Sequence, residues 1–239
     1  MFRFLVACGL AVCLLALSVR TSALEVKLAI ADDGSADVIR DGQVVWSMHP
    51  GIFAAGWKMI RESKVEEGYP KKEGGKTTFR FAIAPPGEEG VVNVTMTVIV
   101  QNDSADFKYV FEVPKALKLN SIFVRTRFPV AASEGKTLQI GDKEVKLPAG
   151  EYEKGKWNLF TGNVERVIYP IPDIPIELKT EPDTQGVAVD LREWSTNDFE
   201  VRINLLPQTE GQEVAAGTKL EKGVILRVPG LTSSSVGKE

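Results

Sequence analysis

Between Val91 and Val113 hydrophobic and polar residues alternate strictly for almost the whole stretch. Val92, Val94, Met96, Val98 and Val100 share one side, and Asn93, Thr95, Thr97 and Gln101 take the other. A period of two with this many β-branched residues predicts a half-buried strand. Asn102-Asp103-Ser104-Ala105 follows with turn chemistry, because Asx side chains bond their own backbone. Phe107, Tyr109 and Phe111 then resume an inward face, with Lys108 and Glu112 outward. The stretch reads as the central hairpin of a large antiparallel sheet.

The same pattern recurs along the chain. Glu25 to Ile30 alternates, and Val38-Ile39-Arg40 and Gln43 to Trp46 flank Asp41-Gly42, a strong hairpin signal. Thr77 to Ile83 places Phe79, Phe81 and Ile83 inward, and Ser121 to Pro129 places Ile122, Val124 and Phe128 inward with Arg125 and Arg127 outward. Thr137 to Ile140 and Lys143 to Leu147 flank Gly141-Asp142 as a further hairpin. Trp157 to Phe160, Val164 to Tyr169, Ile176 to Lys179, Val187 to Leu191, Phe199 to Leu205 and Lys219 to Val228 read as strands, the last with a turn at Lys222-Gly223. Ile52 to Ile60 fits a strand or a short helical turn, and Lys64 to Lys76 reads as an exposed loop. Pro170, Pro172 and Pro175 cannot donate to a central ladder, so Tyr169 to Pro175 is an edge or a loop. About fourteen strand candidates without an amphipathic helix predict an all-β fold, a large antiparallel β-sandwich of two packed sheets with little helix. Residues 24–231 form a single β-sandwich domain in this reading, and the small polar residues 232–239 form a disordered tail.

The N-terminus changes the picture. Arg3 precedes the uncharged apolar run Phe4 to Leu17, and Thr21 and Ala23 supply small residues for a cleavage site. This predicts a signal peptide over residues 1–23, because a run of about 14 residues is short for a bilayer span. Cys8 and Cys13 are the only cysteines and both fall in that leader, so the mature chain has no disulfide and depends on its core. The combination suits a bacterial secreted, periplasmic or cell-envelope protein, with no membrane span after cleavage.

Charge excludes one class of partner. With 29 Lys and Arg against 32 Asp and Glu, the chain carries −3, and no basic patch marks a nucleic-acid surface. Candidate chemistry is sparse. His49 is the sole histidine and precedes Pro50, so it reads as an ordinary loop residue without a nucleophile partner. One histidine and no mature cysteine argue against zinc, and Asn102, Asp103 and Asp106 read as a turn rather than a calcium site. No metal, cofactor or catalytic residue is expected. Carboxylate pairs such as Glu193 with Asp198, or Asp103 with Asp106, are frequent by chance in so acidic a chain. Of the tryptophans, Trp46 and Trp57 lie in apolar neighbourhoods and are assigned to the core. Trp157 follows Gly155-Lys156, and Trp194 sits in a loop with Arg192, Glu193, Asn197 and Asp198. An aromatic among dense hydrogen-bonding groups suits a sugar, which has apolar C–H faces and a polar rim.

The run Phe79 to Val130, then Gly141 to Leu147 and Asn197 to Arg202, resembles accessory β-sandwich domains of bacterial glycoside hydrolases, which are similar to the galactose-mutarotase-like supersandwich. The likeness spans most of the mature chain and lies in strand order and texture. It implies a sandwich fold and a carbohydrate context. Family mutarotases use histidines and a carboxylate; with one histidine here, no catalytic residue carries over. Two readings follow. The first is an exported, non-enzymatic, carbohydrate-associated protein binding a polysaccharide or oligosaccharide through Trp157, Trp194, Arg192, Glu193, Asn197 and Asp198. The second is a structural or interaction module contacting an envelope protein through exposed sheet edges. An enzyme acting on polysaccharide ranks behind both.

Overall fold

The computed structural model of the chain describes residues 25–60 and 63–233, so the leader lies outside the described residues. In chain order the strands are β1 (Val26–Ile30), β2 (Ala36–Arg40), β3 (Gln43–Ala54), β4 (Met59–Ile60), β5 (Ser63–Val65), β6 (Lys71–Glu73), β7 (Lys76–Ile83), β8 (Val92–Gln101), β9 (Ser104–Val113) and β10 (Leu117–Pro129). After the single helical turn α1 (Val130–Ser133) come β11 (Thr137–Ile140), β12 (Lys143–Lys146), β13 (Asn158–Asn163), β14 (Arg166–Tyr169), β15 (Ile176–Thr180), β16 (Gln185–Asp190), β17 (Asp198–Asn204), β18 (Gln212–Val214), β19 (Thr218–Arg227) and β20 (Leu231–Ser233). They form two ten-stranded sheets. The first runs β13-β16-β17-β10-β3-β2-β1-β20, with β4 on β3 and β18 on β10. The second runs β12-β11-β14-β15-β19-β9-β8-β7-β5, with β6 on β7. The fold is an all-β sandwich, antiparallel except where β20 pairs parallel with β1.

The central hairpin holds as read. Val98 pairs with Phe107, Met96 with Tyr109 and Val94 with Phe111, and all six are buried. The turn itself is tighter than the four residues expected, since Gln101 already pairs with Ser104 and Asp103 takes a left-handed φ of 62°. These side chains meet Trp46, Met48 and Ile52 of β3, Ile122, Val124 and Phe128 of β10, and Phe199, Val201 and Ile203 of β17 in one continuous core. Burial of that apolar surface, roughly 25 cal/mol per Å², drives the two sheets together. At the β2–β3 turn Asp41 and Gly42 both have positive φ, 49° and 79°, the geometry that matches strand twist in a two-residue hairpin.

Several expectations need correction. Lys64 to Lys76 is not a plain loop: it contributes β5 and the short β6 beside β7. No turn occurs at Lys222-Gly223; β19 runs through it, with Gly223 opposite Lys108. Thr232 and Ser233, assigned to the tail, pair with Lys27 and Leu28 of β1. His49 is mid-strand rather than in a loop, opposite Arg125. Its neighbour Pro50 is tolerated there because β2 pairing ends at Met48 and β4 pairing starts at Ile52, so the missing N–H faces a gap in the ladder.

The largest departure concerns Arg125 and Arg127, read as solvent-facing. Arg125 is 3 % exposed and the Arg127 side chain 12 %. Alternation along β10 does put them opposite the core residues Val124 and Phe128. However, the outer face of the first sheet is covered rather than open. Phe53, Phe123, Val187, Val189 and Leu191 are buried there, outside the main core.

Candidate ligand site

The site is built on that covered face, where β3, β10, β17 and β16 lie side by side. Register decides its chemistry. Arg127 pairs across from Glu200, and Arg125 from Arg202; Glu200 and Arg202 pair on their far side with Val189 and Val187. The Glu200 carboxylate, fully buried, therefore sits among three guanidiniums. Arg125 Nη1 and Arg127 Nε donate to its Oε2 at 3.2 and 3.0 Å, and Arg202 Nε donates to its Oε1 at 2.5 Å. Burial pushes the Glu200 pKa up, but Arg202, Arg125 and Arg127 outweigh it and hold the carboxyl below its ordinary range. Arg202 also lies over the Phe53 ring, 4.8 Å from its centroid, a cation–π contact in a desolvated setting. Phe53 in turn packs on Phe123 at 4.9 Å between ring centroids. Gly51 makes room for this: a Cβ at that position would come within 2.9 Å of the Phe123 ring.

Beside the arginines lies a cavity of about 560 Å³, within the usual range for small-molecule sites. Phe53, Trp57, Met59, Trp157, Leu191 and Trp194 form its apolar wall, and Arg127, Arg202, Thr196 and Gln208 provide polar groups. Trp57, Trp157 and Trp194 are 42 %, 37 % and 51 % exposed. Large aromatics left this open around one concavity are unusual unless something covers them. The apolar neighbours of Trp57 predict a core position; instead the turn Ala55–Trp57, with Gly56 and Trp57 at φ 70° and 58°, swings it out beside Phe53.

The segment after β16 sets the other wall. Asp190 is fully buried and caps the short 3₁₀ turn Leu191–Trp194 by accepting from Arg192 N at 3.1 Å. Its carboxylate also takes Arg192 Nη2 at 2.7 Å, while Arg192 Nη1 donates to the Gly150 carbonyl at 2.7 Å. Glu193 accepts from the Tyr152 hydroxyl and from Gly155 N, the latter at 2.9 Å. The Tyr152 bond, the Gly155 amide and Lys154 lower the Glu193 pKa; partial burial and Glu193 push the Tyr152 phenol up to about 12. Asp190 N donates to the Trp157 carbonyl at 2.8 Å. This clamp joins the 148–157 loop to the 3₁₀ turn and leaves Trp157 and Trp194 with ring centroids 5.6 Å apart.

Of the six site residues expected from sequence, the structure thus brings Trp157 and Trp194 together at the cavity. Arg192 and Glu193 are turned away into the clamp. Asn197 offers its backbone carbonyl to Val130 N, and Asp198 begins β17 opposite Pro129; neither lines the cavity. Sequence reasoning missed Phe53, Trp57, Met59, Arg127 and Arg202. The available signal was Arg125-x-Arg127 on one strand and Glu200-x-Arg202 on another, which become neighbours only once β10 and β17 are paired. His49 Nδ1 is hydrogen-bonded to Ser35 Oγ at 2.9 Å. No cluster of three or more metal-ligating residues occurs among the described residues.

No protein-family model and no curated protein matches the chain. Solved structures do. An aldose 1-epimerase-like protein of Escherichia coli K12 superposes with a TM-score of 0.53 at 9 % identity, over 86 % of this chain and 98 % of that one. A protein of Synechocystis sp. PCC 6803 gives 0.53 at 12 % identity, over 84 % and 90 %. A galactose mutarotase-like protein of Lactobacillus casei ATCC 334 gives 0.50 at 10 % identity, over 86 % and 100 %. The chain has the galactose-mutarotase-like sandwich fold. At these identities the likeness is one of architecture, and it agrees with the resemblance read from strand order. Within this mutarotase-like sandwich the covered sheet face carries a glutamate ringed by arginines and a tryptophan-walled cavity.

Proposed function

We propose that the chain is an exported, carbohydrate-associated protein that binds a saccharide in the cavity between Trp57, Trp157 and Trp194 without cleaving it. The observation that carries this reading is the set of three part-exposed tryptophans around one concavity with arginine, threonine and glutamine at hand. Sugars present C–H faces to aromatic rings and hydroxyls to such polar groups. The fold neighbours, aldose-epimerase-like and mutarotase-like by name, support a carbohydrate association. Binding without chemistry fits the carboxylates nearby. Glu200 is tied to three guanidiniums and Glu193 to Tyr152 and Gly155, and neither lines the cavity where a reacting bond would sit.

Affinity is expected in the micromolar to millimolar range, about −4 to −8 kcal/mol, because an open site buries little area. Titration of oligosaccharides against the purified protein, read by calorimetry and tryptophan emission, tests the proposal. Trp194→Ala should weaken binding at least several-fold while the melting temperature stays put. Strong destabilisation with binding intact would make Trp194 a packing residue and sink the assignment. New reducing ends appearing during the titration would instead establish hydrolysis. A panel of glycans without any binding would transfer weight to contact with an envelope protein. Export rests on the Arg3, apolar run and Ala23 pattern; mass spectrometry of secreted or periplasmic protein should find Leu24 at the N-terminus, and intact Met1 would refute it.

A further inference from the structure

Two arginines of the cluster keep donor nitrogens that its carboxylate does not engage. Glu200 offers two oxygens, and Arg125, Arg127 and Arg202 all point a nitrogen at them. Arg127 and Arg202 each use only Nε for this, and among the described residues their terminal nitrogens make no further hydrogen bond. Yet both side chains are largely withdrawn from water, at 12 % and 7 % exposure, and both line the cavity. A buried guanidinium with unmet donors is unfavourable unless an acceptor completes it. Asp198, the next acid on the same face of β17, does not line the cavity. The arrangement leaves two planar donor forks at the floor of an aromatic pocket, and such forks match a carboxylate or sulfate in two parallel bonds.

Building on the saccharide reading above, we propose that the ligand is an acidic saccharide. Its ring lies against Trp57, Trp157 and Trp194, and an oxyanion on that ring, carboxylate or sulfate, is held by Arg127 and Arg202. Glu200 is a positioning residue here: it aligns the guanidiniums through Nε and leaves their outer nitrogens toward the pocket.

The test compares matched probes on the unmodified protein. Trigalacturonic acid is titrated against its fully methyl-esterified form, which keeps the rings and removes the charge; a sulfated and an unsulfated neutral oligosaccharide of equal length form the second pair, and inorganic sulfate is the ion alone. The acidic member of at least one pair should bind tenfold or more tighter than its neutral partner. That advantage should shrink as salt rises from 50 to 500 mM, and which pair shows it distinguishes carboxylate from sulfate. Arg127→Gln should weaken the acidic probe at least tenfold more than its neutral partner, erasing the advantage, and Arg127→Lys should restore only part of it. Equal binding of both members of both pairs, still lost in Trp194→Ala, would overturn the acidic preference and leave the saccharide reading standing. If no saccharide binds, while inorganic sulfate raises the melting temperature of the parent but not of Arg127→Gln, the saccharide reading and the acidic-saccharide proposal both fall.

Discussion

Replacing Glu200 by glutamine removes one negative charge and almost no volume. Three guanidiniums, exposed by 3 %, 12 % and 7 %, would then face each other without the carboxylate that all three contact. Removing one partner of a buried pair typically costs about 3–5 kcal/mol. Glutamine still offers one carbonyl oxygen, so the lower end, about 3 kcal/mol, is the working figure. At roughly 2–4 °C per kcal/mol for a chain of this size, the melting temperature should fall by about 6–12 °C. The pH dependence gives a second check. The folded Glu200 pKa lies below its ordinary value of 4.5, so its contribution is fully present above that value and is lost as pH falls through the folded pKa. The difference between parent and Glu200→Gln should thus be constant from pH 6 to 8 and narrow on acidification. Thermal and urea unfolding at several pH values measure both. A variant that melts within about 2 °C of the parent at neutral pH would refute the view that this carboxylate holds the arginines together.

Other expectations concern the frame around the site. Val98→Asp puts a charge into the core at a position 2 % exposed and should abolish folding, whereas Ile99→Asp, on the opposite face at 38 % exposure, should stay within about 1 kcal/mol of the parent; equal effects in circular dichroism melts would mean the register is wrong. Gly186→Ala should destabilise by about 1–3 kcal/mol or more, because its Cβ would lie 2.2 Å from the Arg202 backbone carbonyl and 2.6 Å from Val164; a neutral effect in urea titrations would refute close packing of β16 on β17 at this position.

Local pattern alone carried the class and much of the core. Period-two alternation in β8 and β9 identifies which side chains are buried, because side-chain direction in a strand depends only on position along that strand. Asp41-Gly42 and Gly141-Asp142 likewise locate hairpins, since the φ values they adopt are local properties. Trp194 and Trp157 were legible as a mixed aromatic and polar neighbourhood, although their partner Arg192 proved to serve Asp190 and the loop carbonyls. What alternation could not tell was whether the second face of each strand meets water. Arg125 and Arg127 look like ordinary outward residues until β17 brings Glu200 and Arg202 beside them and the turns carrying Trp57 and Trp194 close over that face. Those contacts join residues about 75 positions apart in the chain, and a strand's pairing partner is set by the whole sheet rather than by its own sequence. The sandwich was therefore written in short-range periodicity, while the charged floor and aromatic walls of the cavity exist only through tertiary pairing.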